Sequence, residues 1–411
     1  MKNRILLLMS TQTYRASPYL KAAGKLGVEA TVGSEKRQAL EDYTPGKTLT
    51  VDFTDPAGAV ERIVRFAETH PLAAVLAVDD QGVEPAARAA EALGLPHHPP
   101  ETARAMGSKH RIRQILSAAG LPSPPFVCLA VDGEPDPPVP RVPYPCVLKP
   151  LHLSASRGVI RADNDREFRA AFRRIAGILQ DPEVRRRNRE EADSILVEGF
   201  IPGTEVALEG LLCDGELKPL AIFDKPDPLD GPHFEETIYV TPSALPAAAQ
   251  EEIAACARRS AAALGLRQGP FHGEFRLNPD GVWPIDLAAR SIGGNCSGSL
   301  RFRGDRTLEE IILRQALGME LANLELEPGA SGVMMIPIPA AGTLVEVVGL
   351  WKAQKVAGIS DVQITLNPGQ KVVPLPEGNR YLGFLFARGE TPGEVVEALR
   401  EAHRQLRIEI R

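Results

Sequence analysis

Two acidic residues on adjoining apolar runs carry the clearest chemical signal in the chain. Phe271–Asn278 leads through Pro279, Asp280 and Gly281 into Val282–Ala288, with Glu274 on the first run and Asp286 on the second. Asn, Pro and Gly at the first, second and fourth positions suit a type I turn continued by a left-handed glycine, which predicts a three-residue hairpin loop. With Asn278 facing Val282, Glu274 stands opposite Asp286, and His272, Ala288 and Arg290 extend the same face by the period of two. Carboxylates about 5 Å apart at Cβ repel each other unless a cation lies between them. An all-oxygen donor pair favours magnesium that bridges substrate phosphates, and Arg290 is placed to neutralise charge on a transferring phosphoryl group. Alone, a surface hairpin with two solvated acids accounts for the pattern at least as well.

Three upstream segments supply what a nucleotide needs. Lys149 ends an apolar run and is followed by the loop His152–Val159, where Ser154, Ser156, Arg157 and Gly158 offer hydroxyls, charge and exposed N–H groups to a polyphosphate. Ser108 is an N-cap candidate, so Lys109 stands at the positive end of a helix, ready for an anion. Glu198-Gly199-Phe200-Ile201 follows the apolar run Ser194–Val197 and turns through Pro202-Gly203 to Glu205, a connection able to hold an adenine against backbone groups. Each has a plain counterpart: a solvated loop, an exposed lysine, a ligand-free strand connection. His272 and His233 could contact a substrate, or be satisfied structural histidines.

The elements that must position these residues follow from periodicity. Residues 1–100 alternate apolar runs (Ile5–Met9, Val28–Val32, Ala73–Val78) with amphipathic segments near Pro18–Lys25, Ala57–Glu68 and Val83–Leu93, the βαβ rhythm of a parallel sheet. The turn after the first run, Ser10–Tyr14, holds no glycine, so the dinucleotide fingerprint is missing, and Gly46-Lys47-Thr48 lacks the upstream glycine of a P-loop, having Glu41 there. Nine prolines between Pro122 and Pro145 mark a passage between subdomains. Strands are expected near Cys146–Lys149, Ser194–Glu198, Glu205–Cys213 and Leu217–Phe223. An alanine-rich helix should start at Pro246 and end just before Gly265. A Val/Ile/Pro/Gly-rich region after Gly318 closes with a helix near Pro392–Leu406.

Bulk properties remove other classes. A net charge of −6 gives no general pull toward nucleic acid or anionic lipid. Arg185–Arg189 is followed at once by Glu190 and Glu191, which reads as a self-neutralising surface. Five scattered cysteines without a C-x-x-C pair argue against a zinc site or a disulfide framework. The N-terminal apolar run is too short for a signal segment, and no stretch reaches bilayer length, so no membrane partner and a cytoplasmic location are expected.

In order, Ser108-Lys109 with Ala119–Pro122, Val147–Pro150, Val197–Glu205, Glu274, and Asp286–Arg290 with Gly293-Gly294 resemble the ATP-grasp superfamily. Phe223–Pro226 and Tyr381–Arg388 make the pattern look most like its carboxylate-amine ligase branch, which includes L-amino acid ligases. The resemblance implies a mixed α/β and α+β fold in three parts: an N-terminal Rossmann-like domain over 1–100, a two-lobed ATP-grasp centre over 101–318 (lobes about 101–195 and 196–318), and a C-terminal α+β domain over 319–411. It implies that Lys109 and Lys149 hold the α and β phosphates, that the loop from Ser154 through Ser156 and Arg157 to Gly158 covers the triphosphate, and that the backbone of Glu198, Gly199, Phe200 and Ile201 meets adenine. Glu205 matches the ribose position, Glu274 and Asp286 the magnesium ligands, and Arg290 the catalytic arginine. Members commonly carry glutamate where this chain has Asp286, and many carry asparagine where it has Ala288, which puts two-metal occupancy in doubt.

The implied chemistry is ATP-dependent joining of a carboxylate to an amine through an acyl phosphate, with ATP and Mg2+ (or Mn2+) as cofactors and amino acids as substrates; the sequence does not reveal the oligomeric state, for which a homodimer is only the general prior. Two rivals share the pattern: an ATP-dependent carboxylase working through carboxyphosphate, and a nucleotide-binding regulator without turnover.

Overall fold

The computed structural model describes residues 3–38, 41, 44–133, 137, 141–187 and 193–411. The expected basic run falls partly outside them: Arg185–Arg187 ends a short helix, and Asn188–Glu191 lie outside the described residues.

The N-terminal part is a four-stranded parallel sheet in the order Thr48–Thr50, Glu29–Ser34, Arg4–Leu8, Ala74–Ala77. Its central strand is covered on both faces, which is why it is apolar throughout. Ile5 and Leu7 pack with Tyr19 and Ala22, while Leu6 and Leu8 face Ile63, Ala86 and Ala89. Helix Pro56–Thr69 starts where Asp55 accepts from the Gly58 N–H (3.1 Å) with Pro56 in the first turn.

A second sheet is antiparallel, in the order Phe126–Ala130, Ser194–Gly199, Cys146–Pro150, Ile160–Ala162. Phe168, Phe172, Ile175 and Leu179 recur at helical spacing on Asp165–Leu179 and bury that helix against the sheet.

An eight-stranded sheet forms the centre, in the order Gly281–Ala288, Gly269–Asn278, Thr204–Cys213, Glu216–Asp224, Ile238–Thr241, Ala330–Ile336, Gly383–Gly389, Ile359–Ile364. Three of these strands come from after residue 318, so the expected boundary there is crossed by one continuous sheet. A separate small sheet joins Lys371–Val372, Gly342–Val348 and Arg407–Ile410. The alanine-rich helix spans Ala247–Ala263, entered from Pro246, and its Ile253, Cys256 and Ala257 pack on Phe271, Phe275 and Val282. No helix among the described residues is long and apolar enough to cross a membrane.

Candidate active site

The hairpin closes more tightly than the turn sequence predicts. Asn278 pairs with Gly281, not Val282, leaving a two-residue loop, and the pairing stays one residue out of the expected register through Phe275–Pro284. A bulge at Ile285 then restores Glu274 opposite Asp286 and His272 opposite Ala288. The bulge sits beside Pro284, which has no N–H to give to a ladder. Buried Arg113 holds it, donating to the Pro284 carbonyl at 2.8 Å and to the Ile285 carbonyl at 2.7 Å.

Between the N-terminal sheet, the antiparallel lobe and the central sheet lies a cleft with a cavity of about 340 Å3. Lys109, Lys149, Ser154, Ser156, Glu198, Gly199, Phe200, Ile201, Glu205, Glu274, Asp286 and Arg290 all line it. Arg157 and Gly158 do not. The Arg157 guanidinium donates to the Glu377 carbonyl at 2.9 Å and lies 3.8 Å from Asp181, and the Gly158 N–H donates to the Pro376 carbonyl at 2.9 Å. Their loop is thus tied to the C-terminal region, with Ala155 and Ser156 both in the left-handed region at φ 55° and 53°. His272 lines the cleft and His233 does not.

At one end a single carboxylate serves two cations. Glu198 accepts from Arg113 Nε at 2.5 Å and from Lys149 Nζ at 2.7 Å, all three buried. Burial alone would raise the Glu198 carboxyl, but the two cations hold it down at about 2. Lys109, first residue of the helix Lys109–Ala118 that Ser108 caps, lies 3.2 Å from Asp286. The Gly199 and Phe200 N–H groups donate to the Pro125 and Pro145 carbonyls, each at 2.9 Å. Phe200's ring lies under Arg161 and Arg276, at 4.3 and 4.9 Å from their guanidinium carbons.

At the other end one cation serves three carboxylates. Glu205, Glu236 and Glu274 bring oxygen atoms within 4.8 Å of one another, a set able to hold a metal ion. Lys225 already supplies a cation there, with Nζ at 2.8, 2.5 and 3.4 Å from the three. Glu205 gives its second oxygen to Arg276 Nε at 2.7 Å, which leaves the ribose role only its remaining lone pairs. Burial and the neighbouring Glu274 raise the Glu236 carboxyl; Lys225 and His272 outweigh burial at Glu274 and keep it well below the ordinary carboxylate range. His272 bridges Glu209 and Glu274, and against burial these two carboxylates lift its imidazole to about 9. These two carboxylates favour its protonated form.

Arg290 meets Asp80 through two bonds, at 2.8 and 3.1 Å, and Arg15 ties Asp79 (2.9 Å) to the carbonyls of Ser291 and Ile292. The crowded cleft wall raises the Asp80 carboxyl although its side chain is 44% exposed, but the Arg290 guanidinium, with Lys109 and Arg15 beyond, holds it below its ordinary value. Sequence reasoning missed these N-terminal groups. Their signal was available: Asp79 and Asp80 directly follow a buried strand of a parallel sheet, at the carboxyl end where such sheets carry ligand-binding residues.

Three family models match the chain in order: an ATP-grasp N-terminal domain over residues 20–97, an ATP-grasp domain over 142–299, and L-amino acid ligase C-terminal domain 2 over 334–411. The chain belongs to the ATP-grasp superfamily. The C-terminal match puts this ATP-grasp protein on the carboxylate-amine ligase branch, and its three-part fold is the expected one. The crystal structure of an L-amino acid ligase from Bacillus licheniformis superposes with a TM-score of 0.83 at 25% identity, covering 100% of both chains. Alanine–anticapsin ligase of Bacillus subtilis (strain 168) is 29% identical over 251 residues, 57% of this chain and 52% of that protein, so the matched region spans about half of that relative. A formate-dependent phosphoribosylglycinamide formyltransferase of Paraburkholderia xenovorans is 25% identical over 93% of this chain and 90% of its own length.

Proposed function

We propose that this ATP-grasp protein joins a carboxylate to an amine at the expense of ATP, through an acyl phosphate, with amino acids as the small-molecule substrates. The observation that carries the reading is the convergence in one cleft of Lys109, Lys149 and Arg290 with Glu274 and Asp286.

Lys149, held by Glu198, and Lys109, at a capped helix end, are positioned for the α and β phosphates of ATP. The loop from Ser154 to Ser156 covers the triphosphate and keeps water from the acyl phosphate. With the Gly199 and Phe200 N–H groups already bonded within the protein, Ile201 is the residue of that segment whose N–H remains for adenine. The carboxylate oxygen of the first substrate attacks the γ-phosphorus and ADP leaves; Arg290 stabilises the charge spreading over the transferring group. An amine then displaces phosphate from the acyl carbon, forming the amide. Glu274 and Asp286 are oxygen donors opposite each other across two strands, Glu274 strongly favouring its charged form, which fits Mg2+ or Mn2+. Such an ion supplies charge neutralisation at the β and γ phosphates when bound. With Ala288 beside them, a single ion is the occupancy this donor set supports.

The test is phosphate release from ATP and magnesium with pooled amino acids. Release should require both a carboxylate and an amine. Release with bicarbonate alone would replace the ligase by the carboxylase reading, and tight ATP binding without any turnover would leave the regulator.

A further inference from the structure

The covering loop belongs to the antiparallel lobe, yet its outgoing end is held by a segment far along the chain. The Gly158 N–H donates to the Pro376 carbonyl and Arg157 Nε to the Glu377 carbonyl, each at 2.9 Å. Both acceptors are backbone groups, so these bonds need segment 376–377 in place but do not put it there. A side-chain pair does that. Arg174 meets the Glu377 carboxylate through two bonds, from Nε at 2.5 Å and from Nη2 at 2.9 Å, a fork that fixes direction as well as distance. Both partners stand on firm supports. Arg174 lies on the exposed face of helix Asp165–Leu179, whose other face buries Phe168, Phe172 and Ile175 in the lobe. Glu377 lies in a turn closed by the Gly378 N–H on the Pro374 carbonyl at 2.9 Å, where a Cβ at Gly378 would come within 2.0 Å of the Val373 carbonyl oxygen. Gly158 is equally constrained, at φ 73° with Pro150 2.6 Å from where its Cβ would be.

Neither Arg174 nor Glu377 lines the cleft, whereas Asn379, Arg380 and Tyr381, just beyond Glu377, do. One short segment therefore touches the covering loop at one end and forms cleft wall at the other. The two side chains are 46% and 39% exposed, so their pair adds little to the stability of the fold. Its consequence is where it puts the loop. That placement matters most once the acyl phosphate exists and the amine has not yet attacked it. Water can then attack the acyl carbon: a C–O bond to water forms, and the C–O bond to phosphate breaks with its electron pair leaving on phosphate. The surplus proton passes to phosphate or solvent, the free carboxylic acid returns, and ATP has been hydrolysed without an amide. We propose that Arg174 and Glu377 are positioning residues that latch the covering loop over the cleft during this interval, so that ATP turnover stays coupled to amide formation. The proposal rests on the ligase reading.

The experiment measures ADP and amide together, at saturating ATP and magnesium with a carboxylate and amine pair found in the pooled screen, and then ADP alone with the amine left out. In the wild type, amide should match ADP, and ADP release without amine should be slow. Glu377→Gln and Arg174→Gln should each raise amine-independent ADP release about fivefold, the value of a half-exposed pair, and lower the amide formed per ADP. Their melting temperatures should shift by less than about 2 °C. The double variant should be no worse than either single one, since each removes the same link, and Arg174→Lys should restore part of the coupling. Amide per ADP equal to the wild type in both single variants, or losses that add in the double variant, overturns the latch. If no carboxylate and amine pair supports ADP release, the ligase reading fails separately. Amide hydrogen exchange of residues 152–159, in protein saturated with magnesium and a non-hydrolysable ATP analogue, then decides the latch: exchange about fivefold faster in Glu377→Gln supports it, and exchange equal to the wild type overturns it.

Discussion

The two ends of the cleft are built as opposites. At the Glu198 end one carboxylate sits between Arg113 and Lys149; at the Lys225 end one ammonium sits among Glu205, Glu236 and Glu274. The first knot carries surplus positive charge and the second surplus negative charge, although each is buried and internally paired. Burial makes such imbalance consequential, because neither knot can be screened by water as surface pairs are. On the proposed function the difference would separate the tasks: the first knot would serve the polyphosphate, and the second an added cation, whether metal ion or substrate ammonium.

Removing the centre of the acidic knot should have the largest effect. Lys225→Met leaves three carboxylates facing one another and should cost about 5 kcal/mol, the upper range for breaking a buried pair. Urea denaturation at pH 8 should show it, with part of the loss recovered toward pH 5 as the carboxylates protonate. Glu198→Gln should cost about 3 kcal/mol at neutral pH by the same measurement. Its pH dependence has a definite sign. The folded carboxyl lies near 2, below its ordinary 4.5, so its contribution is complete above 4.5 and is lost as pH falls from there toward 2. The variant should show a flatter stability profile across that window.

Effects on chemistry come next. Arg290→Ala should lower kcat about a hundredfold while the fold persists, read by steady-state kinetics beside circular dichroism. Asp286→Asn should raise the magnesium concentration for half-maximal activity about tenfold, measured by metal titration. The smallest change is expected far from both knots. Arg65→Ala breaks an exposed pair with Glu61 on a helix of the N-terminal part and should shift stability by less than about 0.5 kcal/mol.

The two knots were unequally legible in the sequence. Lys149 and Glu198 each end an apolar strand, so periodicity exposed them as polar residues in buried company. The acidic knot draws Glu205, Lys225, Glu236 and Glu274 from separate segments, and only their packing shows that the cation among them is a lysine. The hairpin stands between these cases. Its two carboxylates do face each other, but the turn is shorter than expected, and the bulge that restores the register depends on Pro284 and on Arg113 from a distant helix. No local rule reaches that far. The N-terminal strands were readable from continuous apolar runs, whereas the entry of three late strands into the central sheet is a long-range pairing with no local mark.

The central claim is that ATP activates a carboxylate as an acyl phosphate, and isotope transfer tests it most directly. With 18O in the carboxylate of the first substrate, amide formation should place one 18O atom in the released phosphate for each ADP formed. Phosphate free of 18O, or formation of AMP and pyrophosphate instead of ADP, would contradict it.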